Sequence, residues 1–199
     1  GFEVTYLPVD KDGLVKEQDL KDAITPKTIL VSIIHGHNEI GTVQDIKKLN
    51  KISKEVNKDI IFHTDACQSA AFYNLDVKDL DIDLMTINGS KIYGPKATGV
   101  LYIKKGTIVN PIIHGGGQEK GKRAGTENIP GIIGLAKALE LIQTDMKEEN
   151  KRLIELRDKI LSLEENQYLE IYNIFNLLDI KFTKNKNGIF VKMNLITTE

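Results

Sequence analysis

Lys91 stands in Asn88-Gly89-Ser90-Lys91-Ile92-Tyr93-Gly94-Pro95-Lys96, a polar loop tied down by Gly89, Gly94 and Pro95 between two apolar runs. Most lysines are solvated surface groups. One held in a pocket can lose its proton and attack a carbonyl carbon to form a Schiff base. Asp65 directly follows the run ending in His63-Thr64. A carboxylate there is either the N-cap of the next element or a fixed anion facing a cationic ring nitrogen. Gln68, three residues on, is either a capping-box partner or a ligand donor. A Schiff-base lysine paired with an aspartate at a ring nitrogen is the combination found in pyridoxal phosphate sites. The aspartate keeps the pyridine protonated, so the ring can absorb electrons from a substrate carbanion.

Other candidates are less pointed. His114-Gly115-Gly116-Gly117-Gln118-Glu119, followed by Lys122-Arg123-Ala124-Gly125-Thr126, is a donor-rich loop able to bind phosphate or carboxylate. His35 and His37 share a face of an extended chain, yet no third imidazole or cysteine sits at ligand spacing, so no metal site is expected. Both read as loop residues near a ligand. Cys67, the single cysteine, excludes an internal disulfide framework and reads as a packed thiol rather than a nucleophile.

These residues need a scaffold, and the sequence outlines one. Thr28 to Ile34 is a nearly continuous β-branched run, as in a strand buried on both faces. Residues 44 to 57 carry Ile46, Leu49, Ile52 and Val56, one apolar stripe of a helix. Ile60 to Thr64, Asp83 to Ile87 and Gly99 to Ile103 read as further strands, and Gly1 to Leu7 as one more. Strand, helix, strand in this length makes a βαβ unit with parallel strands. The expected class is α/β, a mostly parallel sheet flanked by helices, over residues 1–145. Residues 146–199 are expected to be a helical extension ending in a hairpin around Asn187-Gly188. Two helical patterns are expected, one from about Ile129 to Met146 and one from Leu153 to Leu161. The polar clusters His35–Gly41, Asp65–Gln68 and Asn88–Lys91 each follow a strand, where sheets of this kind bind ligands.

Composition narrows the function. Lys and Arg total 27 and Asp and Glu 28 in 199 residues, a net charge of −1. Without a basic block, nucleic acid and anionic membrane are poor partners. There is no apolar run of transmembrane length and no signal peptide, so a soluble cytoplasmic protein is expected. The chain has no initiating Met, as though it began inside a larger protein.

Five segments in order resemble the cysteine desulfurases, the NifS- and IscS-like group of class V aminotransferase-fold enzymes. They are His35-Gly36-His37-Asn38-Glu39-Ile40-Gly41, His63-Thr64-Asp65-Ala66-Cys67-Gln68-Ser69, Gly89 to Lys96, His114 to Glu119, and Arg123-Ala124-Gly125-Thr126-Glu127-Asn128. The resemblance runs from residue 1 to about residue 145. It implies pyridoxal 5'-phosphate as cofactor, Lys91 as its Schiff-base lysine and catalytic residue, and Asp65 at the pyridine nitrogen. It implies that Gln68 and Asn38 hydrogen-bond the ring hydroxyl or its neighbourhood, with Asn38 also near substrate. Asn88 and Ser90 stand where the family usually has Ser and His near the cofactor phosphate. Thr126 is implied as a phosphate ligand reaching into the partner subunit's site, hence a homodimer, with Arg123 nearby. The implied reaction takes L-cysteine, or a similar amino acid, to L-alanine, with sulfur passed to an acceptor or Fe–S scaffold protein.

The sequence also departs from the family. His37 replaces the first Asn of its Asn-Asn-Glu motif. The family's N-terminal portion, with a further phosphate loop and a ring-stacking histidine, has no counterpart here. Its persulfide cysteine lies downstream of the Arg-Ala-Gly-Thr motif, where this chain has none. The alternatives are a class V aminotransferase or selenocysteine lyase-like enzyme, which needs no such cysteine, or a non-catalytic relative acting as a dimerising partner.

Overall fold

The computed structural model describes residues 1–162, 180–185 and 188–193. Chain contacts divide it into two compact units, residues 1–146 and 147–199. The first unit holds α1 (Glu17–Ala23), β1 (Leu30–Ile34), α2 (Ile46–Val56), β2 (Ile61–Asp65), α3 (Val77–Leu80), β3 (Leu84–Asn88), β4 (Gly99–Ile103) and α4 (Gln118–Gly121). The long helix α5 (Ile129–Leu161) starts there and runs on into the second unit, which also contains β5 (Ile180–Asn185) and β6 (Gly188–Met193).

The four strands β1 to β4 form one sheet in chain order. β1, β2 and β3 are parallel and β4 runs antiparallel to β3. The mostly parallel α/β sheet read from the sequence is thus present, each strand within two residues of its expected start. Alternation sets the two faces apart. Val31, Ile33, Phe62, Thr64, Met85 and Ile87 are buried on one face. They join Leu20 of α1 and Ile46, Leu49 and Ile52 of α2 in one apolar cluster. Full burial of each aliphatic side chain is worth about 1.5–3 kcal/mol, which is what holds α2 against the sheet. The alternate residues Ser32, His63, Asp65, Thr86 and Asn88 lie on the other, more open face.

The amino-terminal end of the strands is pinned by an ion pair. Lys54 Nζ lies 2.6 Å from Asp83 Oδ2, and the Phe62 N–H donates to that same oxygen at 2.8 Å. The Lys54 amine also donates to the Ile60 carbonyl.

Two expectations are corrected, and one helix is added. Residues 1–7 form no strand; Phe2 and Tyr6 are 85% and 90% exposed. No strand of the sheet runs beside them, and β-propensity has no effect without a partner. α1 carries no sequence expectation at all, though Glu17 and Asp19 in its first turn and buried Leu20 would have marked it. The two expected C-terminal helices are one, because residues 135–161 contain neither Gly nor Pro. Asn128 caps α5 by accepting from the Gly131 N–H at 3.2 Å. β5 and β6 pair antiparallel with Asn185 opposite Gly188, while Asn187 itself lies outside the described residues. Among the described residues, no helix is long and apolar enough to cross a membrane.

Candidate active site

The three polar clusters meet at the carboxyl edge of the sheet. Asp65 ends β2, opposite Ile34 of β1 and Thr86 of β3. Its carbonyl accepts from the His35 N–H at 2.8 Å, and the Ala66 N–H donates to the Thr86 carbonyl at 2.9 Å. The half-buried Asp65 carboxylate accepts from the Cys67 N–H at 2.9 Å. This local bond orients the carboxylate at the strand end. Residues 66–73 form turns, not a helix, so Asp65 is not a helix cap and Gln68 is not its capping-box partner.

Cys67 sits against this carboxylate. Burial, followed by the hydrogen bond and negative charge of Asp65, pushes its thiol up to about 12, while the Lys91 charge pulls the other way. The thiol stays protonated at neutral pH and is no nucleophile.

Lys91 closes a 3-10 turn, Gly89–Lys91, directly after β3. Asn88 caps it, accepting from Ser90 N–H at 2.9 Å and from Ser90 Oγ at 2.8 Å. The Gly89 carbonyl accepts from the N–H groups of Ile92 at 3.2 Å and Gly94 at 2.8 Å, and Gly89 N–H donates to Thr98 at 2.9 Å. A side chain at Gly89 would collide with Thr98 Oγ1, and one at Gly94 would come 2.9 Å from the Gly89 carbonyl oxygen. The start of α5 packs on this loop. A Cβ at Gly89 would meet Leu135 at 3.2 Å, one at Gly94 would meet Ala138 at 3.4 Å, and one at Gly134 would meet Pro95 at 2.6 Å. The loop is therefore fixed at its root, while Lys91 itself is exposed and makes no ion pair among the described residues.

The other expected residues are placed as follows. Asn38 is exposed in a loop closed by the pair Gly36–Val43 and by His37 N–H to Thr42 at 2.8 Å. Gln68 is half-buried beside Cys67. Neither side chain has a hydrogen bond among the described residues. Thr126 is exposed in a separate loop, where Gly125 N–H donates to Gln118 Oε1 at 3.1 Å and Arg123 donates to the Gly125 carbonyl at 3.2 Å. No described contact joins Thr126 to Asp65 or Lys91. His35 stands in a bend directly after β1 and is buried, its Nδ1 2.9 Å from Ser69 Oγ and its ring tilted against Tyr73 at 5.5 Å. Burial lowers its pKa. His37 instead accepts the Glu39 N–H at 3.2 Å. The sequence reading also missed Ser32, His63 and Thr86, whose side chains bond across three strands. A surface depression lined by Lys54, Ile61, Asp83 and Lys104 lies at the opposite edge of the sheet, far from these groups.

The donor set suits pyridoxal phosphate on the structure's own terms. A fixed carboxylate ends one of two neighbouring parallel strands, a lysine without an ion pair among the described residues follows the other, and the glycine-lined root of the lysine loop admits no side chain. The class-V aminotransferase family model matches residues 1–183. The chain belongs to the class-V aminotransferase family. Among curated relatives, the cysteine desulfurase IscS of Dictyoglomus turgidum is 52% identical over 172 residues, covering 86% of this chain and 43% of the relative. The cysteine desulfurase IscS of Methanosarcina thermophila is 52% identical over 161 residues, covering 81% and 39%. A solved NifS-like protein superposes with a TM-score of 0.80 at 36% identity, covering 96% of this chain and 49% of that one. A structure of SspA in complex with cysteine gives 0.68 at 38% identity, covering 93% and 48%. The chain thus spans less than half the length of these relatives.

Proposed function

We propose that this chain is the cofactor-binding section of a pyridoxal 5'-phosphate-dependent cysteine desulfurase, working as a cytoplasmic homodimer. The observation that carries the reading is the placement of Asp65 and Lys91. Asp65 ends one of two adjacent parallel strands and Lys91 follows the other, the carboxylate oriented by the Cys67 N–H and the lysine making no ion pair among the described residues. The names of the curated relatives support the substrate, L-cysteine. Pyridoxal phosphate, when bound, supplies an electron-poor ring that takes up the electron pair released at the substrate's α-carbon. Asp65 holds a proton on the ring nitrogen. Lys91 is the residue that would hold the cofactor by its aldehyde group and would move a proton at the substrate's α-carbon. Gln68 and Asn38 orient the ring and the substrate, Asn88 and Ser90 hold the cofactor phosphate, and Thr126 serves the phosphate in the partner subunit.

The sulfur goes to a thiol other than Cys67, whose proton is held by burial and Asp65. Cysteine plus that thiol yields alanine plus a persulfide, with no outside oxidant. The acceptor is a cysteine outside these residues or on a partner such as an Fe–S scaffold protein.

The test is to add pyridoxal phosphate to the chain, record its absorbance, reduce with borohydride and map the labelled peptide. A single label on Lys91, lost in Lys91→Ala, is expected. Label scattered over surface lysines, or a retained band in Lys91→Ala, refutes the assignment.

A further inference from the structure

The open face of the sheet carries a polar row that this function leaves unused. Ser32 of β1 lies opposite His63 of β2 in the register, and Thr86 of β3 lies opposite Asp65, two residues further along. All four side chains project from one face by strand alternation. The His63 imidazole is held at both nitrogens, with Ser32 Oγ 2.8 Å from Nδ1 and Thr86 Oγ1 2.9 Å from Nε2. A hydroxyl can donate or accept. Both bonds therefore survive in either neutral tautomer and in the protonated ring.

Thr86 links this ring to the candidate site. Its side chain holds His63, while its carbonyl accepts the Ala66 N–H at 2.9 Å and lies 3.8 Å from Cys67 Sγ. Asp65 is one same-face step along the strand, about 6.6 Å away at the usual rise. The groups facing His63 from neighbouring strands are Ser32 and Ile34 of β1 and Leu84 and Thr86 of β3, none of them charged. The charge that acts on it is Asp65, which opposes the effect of burial.

We propose that His63 is a positioning residue for Asp65. The Ser32–His63–Thr86 row fixes an imidazole one step from the carboxylate, and the ring's charge sets how firmly Asp65 keeps a proton on the nitrogen of a bound pyridine ring. Neutral, it leaves the full carboxylate charge to that nitrogen. Protonated, it competes for the same charge and weakens the ring as an electron acceptor. The inference rests on the cofactor reading above, but half of its test does not.

The first arm uses the full chain without cofactor, with histidine labelled in carbon and nitrogen for magnetic resonance titration. In Asp65→Asn the His63 midpoint falls by about 0.5 pH unit or more, since an opposite charge that favoured the protonated ring is gone. In Ser32→Ala the His63 nitrogen shifts report a change in tautomer balance. A His63 midpoint unmoved by Asp65→Asn overturns the proposal whether or not cofactor binds. In the second arm pyridoxal 5'-phosphate is added, and the pH midpoint of its lysine-bound absorbance is compared in wild type, His63→Gln and Ser32→Ala. A midpoint displaced in both variants, with cofactor retained, supports the proposal; an unchanged midpoint overturns it. Should His63→Gln fail to fold by circular dichroism, Ser32→Ala, which keeps the ring, decides. Failure of wild type to take up cofactor refutes the function reading, and the first arm then decides this proposal by itself.

Discussion

Gly89→Ala perturbs the root of the Lys91 loop without touching the lysine. The new Cβ would collide with Thr98 Oγ1 and lie 3.2 Å from both Leu135 Cδ1 and the Pro95 carbonyl oxygen. Thr98 Oγ1 donates to that Pro95 carbonyl at 2.6 Å, so it cannot turn aside and keep its bond. Losing the bond costs about 1 kcal/mol, and forcing a methyl against Leu135 and Pro95 adds about 1–3 kcal/mol. The total is about 2–4 kcal/mol. With a urea slope of about 2 kcal/mol per molar, the unfolding midpoint drops by about 1–2 M. Thr98→Ala alone costs about 1 kcal/mol, but it also vacates the colliding atom. The double variant is therefore less damaged than the sum, with a coupling of about 1–2 kcal/mol. Borohydride labelling should follow the same order: reduced at Lys91 in Gly89→Ala and partly restored in the double variant. A Gly89→Ala midpoint within about 0.2 M of wild type would refute the steric argument, as would strict additivity with Thr98→Ala.

Two further outcomes are expected. Burial holds the His35 pKa below its ordinary 6.5, so as pH falls the unfolded chain takes up that proton before the folded one; stability is complete above about pH 6.5 and declines below it. Urea midpoints at pH 7.5 and 5.5 should differ in that sense, and His35→Gln should remove part of the difference; an unchanged slope contradicts the burial account. With its pKa pushed up to about 12, Cys67 should react with iodoacetamide at pH 8 roughly 1000-fold more slowly in the folded chain than in urea, and equal rates would contradict a buried, Asp65-bonded thiol.

The parts of this molecule that the sequence announced are those governed by local pattern. β1, β2 and β3 are apolar runs that bury alternate residues on one face only, so the reading of β1 as buried on both faces is corrected, with Leu30 and Ser32 exposed; in the helical stripe Ile46, Leu49 and Ile52 are buried as their spacing requires, and Val56 at its end is exposed. Asp65 and Lys91 were legible because each follows such a run directly. What stayed hidden depends on register. Ser32, His63 and Thr86 are 31 and 23 residues apart in the chain, and only strand pairing makes them neighbours. His35 looked like its loop neighbour His37, yet strand continuation carries it into the core against Ser69 and Tyr73. Residues 1–7 show the opposite failure: alternating apolar residues without a neighbouring strand remain unpaired.

The packing of α5 on the lysine loop has a consequence for heredity and for engineering. Gly89, Gly94 and Gly134 each give up a side chain to a specific counterpart, Thr98, the Gly89 carbonyl and Pro95 respectively, with Leu135 and Ala138 filling behind them. No one of these positions can enlarge without another shrinking. The loop and the first turns of the helix are therefore a single transplantable cassette, about residues 88–98 with 131–138. Grafting the loop alone from a relative with larger residues at the helix start would misplace the amine, whereas moving both together would carry the lysine's position intact into the new host.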